Sequence, residues 1–110
     1  MEYLPIFLRA RDRAVTVVGG GLVATRKVEL LLRCEARITV VAPDVHRELR
    51  ELVAMTSRRV LRHAPERFEP RHLDGAELVI AATDSAETNA AVAAAIWRSE
   101  ERRVGKECRS

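Results

Sequence analysis

Three consecutive glycines, Gly19-Gly20-Gly21, are followed by Leu22-Val23-Ala24, a run that fits the pattern Gly-x-Gly-x-x-Gly/Ala. In that pattern Gly19 permits a tight turn, Gly21 has no Cβ to hold a pyrophosphate away, and Ala24 lets a helix approach a strand closely. A diphosphate seated there meets the backbone N–H groups of Leu22 and Val23. Those groups have no intrahelical partner in the first turn of a helix, and the helix dipole favours an anion beside them. The bland alternative is a turn closed by three glycines and nothing more. Glycine is otherwise scarce, with 5 in the whole chain, which argues against that alternative.

Further along stand Pro43 and Asp44, the latter 25 positions beyond Gly19. In many dinucleotide-binding folds an acidic side chain after the second strand grips the ribose hydroxyls, and Asp44 suits that task by spacing. It suits a helix N-cap equally well, and both readings stand. No arginine follows directly to receive a 2′-phosphate, so the expected cofactor is NAD rather than NADP. Thr83 closes the run Leu78-Val-Ile-Ala-Ala82 and would line the nicotinamide or ribose side, with Asp84 and Asn89 facing the same cleft or serving only as caps and surface groups.

Other reactive residue types form no constellation. His46, His63 and His72 share no ligand spacing and read as solvated side chains. Arg47, Arg50, Arg58 and Arg59 read as a solvated basic run. No Ser/His/Asp or Cys/His arrangement is present to order a nucleophile, so no catalytic residue and no metal ligand is assigned. Cys34 and Cys108 lie far apart, and Cys34, ending an apolar helical run, is expected to be a small core residue.

The elements that must position the glycine turn are legible around it. Ala14-Val-Thr-Val-Val18 is a β-branched run that stops at the glycines, as a buried strand feeding a turn does. Leu22, Val23, Val28, Leu30, Leu31 and Leu32 recur at helical spacing with charged residues between them. Ile38 to Ala42 repeats the strand signature and ends at Pro43. Asp44 then precedes a second helix, His46 to Met55, with Val45, Leu49, Leu52 and Val53 on one face. Arg59 to His63 is expected as a short third strand, and Pro65 and Pro70 confine Ala64 to Arg71 to loop or a single turn. Leu78 to Ala82 reads as a central parallel strand buried on both faces. Thr83-Asp84-Ser85 caps a third helix, Ala86 to Trp97, with Asp84 and Glu87 placed as a capping box. Strands alternating with helices imply an α/β fold, Rossmann-like, a parallel sheet with helices on both faces and incomplete at the C-terminus.

Residues 98–110 break the pattern, because a polar stretch stands where another apolar strand is due. The segment also resembles a translated sequencing-adapter peptide. The expected organisation is therefore a dinucleotide-binding domain at 1–97 and a tail at 98–110 outside it. The tail holds five Lys/Arg against three Glu, so the net charge of +3 leaves the domain itself close to neutral. With 4% aromatic content and no aromatic platform, nucleic acid is not an expected partner. No run approaches the roughly 20 apolar residues of a membrane helix, and residues 1–13 lack the order of a signal peptide, so the expected setting is soluble and cytoplasmic, away from membranes.

Taken together, Tyr3-Leu-Pro-Ile-Phe7, Val17-Val-Gly-Gly-Gly21, Ala24-Thr-Arg-Lys27 with Leu30-Leu-Leu32, Thr39-Val-Val-Ala-Pro43, Arg67-Phe68 with Leu73-Asp-Gly75, and Leu78 to Asp84 with Asn89 resemble one family. It is the precorrin-2 dehydrogenases, including those fused into siroheme synthase. The resemblance implies NAD-dependent oxidation of precorrin-2, a tetrapyrrole, to sirohydrochlorin, with iron insertion in bifunctional members and a homodimeric parent. By matching position it implies that Gly19, Gly21, Leu22 and Val23 hold the pyrophosphate. Pro43 and Asp44 would lie by the adenosine ribose, and Thr83 would approach the nicotinamide. Family members continue after the third helix into a strand carrying Asn-Val-Val-Asp, whose aspartate serves dehydrogenation and metal insertion. Residues 98–110 do not match it, so the expected molecule is a cofactor-binding fragment, inactive by itself and prone to associate through an uncovered strand edge. The alternative is a non-enzymatic NAD-sensing domain such as those regulating potassium transport. Those commonly place an acid directly at the end of the second strand, where this chain has Ala42-Pro43.

Overall fold

The computed structural model describes residues 12–107, so Tyr3 to Phe7 and Cys108 lie outside the described residues. Strand β1 (Ala14–Val18) leads through the glycine turn into helix α1 (Leu22–Arg33), then β2 (Arg37–Val41), α2 (Arg47–Met55) and β3 (Leu61–Ala64). A 3-10 turn at Pro70–Leu73 precedes β4 (Leu78–Ala81), and α3 (Ala86–Glu107) follows. The four strands are parallel in the order β3-β2-β1-β4, with Val15 opposite both Ile38 and Leu78. Parallel pairing demands crossovers long enough to return the chain to the same sheet end, and the helices supply them.

Period-two alternation divides the sheet's two faces. Val15 and Val17 of β1, Ile38 and Val40 of β2 and Leu61 of β3 join Ala24, Val28 and Leu31 of α1 and Leu49 of α2 in one buried core. Val45, Leu52 and Val53 are partly buried against it, so α2 turns the expected face inward. Thr16 points to the opposite face, where its Oγ1 lies 3.5 Å from the carbonyl oxygen of His72 in the 3-10 turn. That turn in turn packs on α3. The fold is thus a Rossmann-like α/β arrangement with helices on both faces.

Several local expectations need correction. Strand β4 is an edge strand among the described residues, half-buried along Leu78–Ile80 and exposed at Ala81, rather than a central strand buried on both faces. Its apolar run reflects partial cover on two faces, which sequence alone does not separate from full burial. The third strand begins two residues later than expected, at Leu61, whose side chain is the one fully buried there. Cys34 is exposed, because it follows the last turn of α1 and lies off the stripe formed by Ala24, Thr25, Val28 and Leu31.

Helix α2 is capped by His46, not Asp44: the His46 ring accepts the backbone N–H of Glu48 through Nδ1 at 3.2 Å. At α3 the cap is Ser85, whose Oγ accepts the N–H of Thr88 at 3.1 Å, in place of an Asp84–Glu87 box. Helix α3 also runs past Trp97 to Glu107. The Arg, Glu and Lys residues that follow Trp97 have good helix propensity, and without proline nothing in the backbone stops the helix there. Nor are all three histidines solvated. The His72 side chain is 7% exposed, and the His63 ring bonds through Nε2 to the carbonyl of Ala42 at 2.8 Å.

Candidate functional site

The carboxyl ends of β1, β2 and β4 open into one cleft of about 760 Å³. Its lining begins with Gly19, Gly20 and Gly21 after β1, continues with Pro43 and Asp44 after β2, and closes with Thr83, Ser85 and Thr88 beyond β4. Loops at this end of a parallel sheet are where open α/β folds hold ligands, since each strand end leaves a helix N-terminus facing the gap.

Each glycine is required for a different reason. Gly19 has φ of +132°, and a Cβ there would lie 2.3 Å from the carbonyl oxygen of Ala82, so its turn and its closeness to the β4 exit both exclude a side chain. A Cβ on Gly20 would lie 2.1 Å from the carbonyl oxygen of Asp44. The chain itself therefore uses these two glycines to draw three strand ends together. Gly21 differs, because nothing lies within 4 Å of where its Cβ would be and its φ of −87° is ordinary. Its bareness serves no contact within the protein, and the open space beside it belongs to the cleft. An anion approaching α1 there meets no side chain.

No side chain caps α1. Thr25, fully buried, donates through Oγ1 to the carbonyl of Gly21 at 2.9 Å, which steadies the turn from beneath. The N–H groups of the first helical turn are left pointing along the helix axis, with the dipole behind them.

Of the residues singled out from sequence, Gly19, Gly21, Pro43, Asp44 and Thr83 line the cleft together. The side chains of Leu22 and Val23 are about half exposed, at 49% and 56%, and do not line it, so only their backbone N–H groups are offered to a ligand. Asp84 and Asn89 do not line the cleft either. Asn89 acts one layer back, where its Nδ2 donates to the carbonyl of Thr83 at 3.0 Å and its Oδ1 is buried without a partner.

Sequence reasoning missed the cleft roles of Gly20, His46, Arg67 and Phe68. Gly20 occupies the unspecified position of the glycine pattern. Arg67 and Phe68 come from the loop after β3, where no periodicity marks them. That loop is held by its own polar side chains: Glu66 Oε1 takes Arg71 at 2.5 Å and His72 Nε2 at 2.6 Å, and Glu69 Oε1 takes Arg71 Nε at 2.7 Å. The His72 ring, with help from the Arg71 guanidinium, holds the Glu66 carboxyl below its ordinary range. Among the described residues no group of three or more His, Cys, Asp or Glu side chains is placed to hold a metal ion. No helix described is long and apolar enough to cross a membrane.

Residues 6–105 match a family model, NAD_binding_7, described as "Putative NAD(P)-binding". The chain is 53% identical over 92 residues to the siroheme synthase of Methylobacillus flagellatus, covering 84% of this chain and 19% of that one. It is 50% identical over 95 residues to the siroheme synthase of Tolumonas auensis, covering 86% and 19%. Among solved structures, SirC, a precorrin-2 dehydrogenase, superposes with a TM-score of 0.73 at 33% identity, covering 82% of this chain and 44% of that one. The chain thus spans about a fifth of the length of the curated relatives it matches.

Proposed function

The chain belongs to the NAD(P)-binding family whose model it matches, and from that premise we propose that it is the NAD-binding part of a precorrin-2 dehydrogenase in siroheme formation. The observation that carries this reading is the open space at Gly21 beside an uncapped helix, facing a cleft that runs across three strand ends. In the proposed pose the backbone N–H groups of Leu22 and Val23, reached past Gly19 and Gly21, hold the pyrophosphate. Pro43 and Asp44 lie by the adenosine ribose, and Thr83 lies toward the nicotinamide. When bound, NAD supplies a hydride acceptor, and the tetrapyrrole precorrin-2 is the donor in the whole enzyme.

The dinucleotide-binding unit is assigned to residues 1–97, with 98–110 outside it. No residue of this chain is assigned as a proton donor or acceptor to the substrate, so the chain alone is expected to bind NAD without turnover. The parent is proposed to be a soluble homodimer, as the family resemblance implies.

Calorimetric titration with NAD tests the reading. Saturable heat is expected, together with a rise in unfolding temperature, since ligand at about 100 times its Kd stabilises the folded state by about 2.7 kcal/mol. No heat and no thermal shift at millimolar NAD would remove the binding claim.

A further inference from the structure

We propose that the opposite end of the sheet carries a second ligand site, a recess lined by arginines that takes a small molecule bearing two or more carboxylate or phosphate groups. The recess, about 630 Å³, lies at the amino ends of β1, β2 and β3. Arg37, Arg58, Arg59 and Arg62 line it with Ala14 and Thr39, and no acidic residue does. It shares no residue with the nucleotide cleft, which opens at the carboxyl ends of the strands. The basic run of the sequence therefore divides. Arg47 and Arg50 stay on α2, while Arg58 and Arg59 precede β3 and meet two arginines of the sheet.

Hydrogen bonds fix these positions. Ser57 closes the turn before β3: its carbonyl accepts the N–H groups of Val60 and Leu61, both at 2.9 Å, and its Oγ accepts that of Arg59 at 3.2 Å. Arg62 stands opposite Thr39 in the parallel register, on the sheet face away from Ile38, Val40 and Leu61, and donates to Thr39 Oγ1 at 3.4 Å. Arg37 shares that face two residues earlier and donates through Nε to the carbonyl of Asp12 at 3.0 Å. The two are offset by about 7 Å along the strand and about 5 Å across it, so long side chains can close on neighbouring anionic groups of one ligand. One bond each leaves most of each five-donor fork open. Among the described residues none of the four arginines forms an ion pair. Glu77 feels the charge of Arg37, but Arg13 and the Ala14 N–H already occupy its carboxylate. Four guanidinium charges around one recess repel one another, and a multivalent anion relieves that repulsion while forming charge-assisted bonds. The volume suits a small molecule, and no aromatic side chain lines the recess to stack a base.

Calorimetric titration of the chain with pyrophosphate and with citrate, at fixed ionic strength and with NAD absent or in excess, tests this. With NAD present one site is expected, with a Kd below about 1 mM, and the tighter of the two anions assigns the ligand to phosphates or to carboxylates. The double variant Arg59→Gln, Arg62→Gln should raise that Kd about 10- to 100-fold through lost charged hydrogen bonds. Removing the same charge from α2, as Arg47→Gln with Arg50→Gln, should change it by less than about threefold, because those arginines do not line the recess. All four side chains are exposed, so both double variants should keep the wild-type circular dichroism spectrum. Equal weakening in the two double variants overturns the proposal in favour of diffuse charge attraction. Anion binding that disappears when NAD is added overturns it in favour of the glycine turn. No saturable heat with either anion up to about 10 mM overturns it outright. Failure of NAD to bind leaves the recess to be judged by the variants alone, since the two sites share no residue.

Discussion

The carbonyl oxygen of Gly20 accepts the backbone N–H of His46 at 2.6 Å, so the turn after β1 and the turn after β2 form one hydrogen-bonded unit. A Cβ on Gly20 would collide with the Asp44 carbonyl at 2.1 Å and push the two turns apart. Gly20→Ala should therefore lower stability and nucleotide affinity together. Gly21→Ala separates the two effects, because its Cβ would enter open cleft space rather than protein. Its cost to stability should stay within about 1 kcal/mol, that of exchanging glycine for alanine at an N-cap, while NAD affinity falls at least about tenfold. Urea melts and NAD titrations of both variants check this. Equal loss of stability in the two would contradict the assignment of Gly21 to the ligand.

Asp44 and His46 divide the work that sequence spacing left shared. His46 caps α2 through its ring, and Asp44 is exposed at the cleft without a capping bond. His46→Ala is expected to cost about 1 kcal/mol of stability as a lost cap. Asp44→Ala should leave the apo melt within about 0.5 kcal/mol of wild type, as an exposed substitution does, and weaken NAD binding. A stability loss in Asp44→Ala equal to that in His46→Ala would return the cap to Asp44.

Acid should weaken the fold through two surface carboxylates. Glu77 bonds Arg13 at 2.6 Å and accepts the backbone N–H of Ala14 at 3.1 Å. Those contacts, the arginine first, hold its carboxyl below the ordinary glutamate value of 4.5. Glu66 is held low by His72 and then Arg71. Both groups ionise more readily folded than unfolded, so their contribution is present above pH 4.5 and is lost as pH falls through and below it. Denaturant midpoints measured from pH 7 down to pH 3 should fall over that acid range. The fall should be shallower in a Glu66→Gln, Glu77→Gln double variant, and an unchanged slope would remove these two groups as its source.

The turn and its flanking elements were legible because their signals are local. β-Branched runs, the glycine pattern and the stripe from Ala24 to Leu31 each declare themselves within a dozen residues. What escaped was set by contacts between distant segments. The edge position of β4 depends on strand order, and the burial of His72 depends on a loop folding onto Glu66. Arg67 lines the cleft from the loop after β3, a strand that joins the sheet beyond β2. At α2 the cap falls to His46 rather than Asp44, and at α3 Ser85, one of the three side chains offered there, takes it without an Asp84–Glu87 box, because several Asp, Ser, Thr and His side chains compete for the same first turn.

Asn89 offers a test of how firmly the Thr83 end of the cleft is held. Its Nδ2 donates to the Thr83 carbonyl at 3.0 Å, while its Oδ1 is buried with no partner. Removing the amide loses one hydrogen bond, worth about 1 kcal/mol, but also removes an orphaned acceptor whose burial costs about 1–3 kcal/mol. Asn89→Ala should therefore sit within about 1 kcal/mol of wild type in a urea melt, while the untethered Thr83 segment weakens NAD binding. Asn89→Asp, closer in shape, should be the worse variant at neutral pH. It sets a carboxylate oxygen against the Thr83 carbonyl with no proton between them and should lose about 2 kcal/mol or more. If Asp proves as stable as Ala, the amide does not tether this segment, and Thr83 is placed by the Ser85 turn instead.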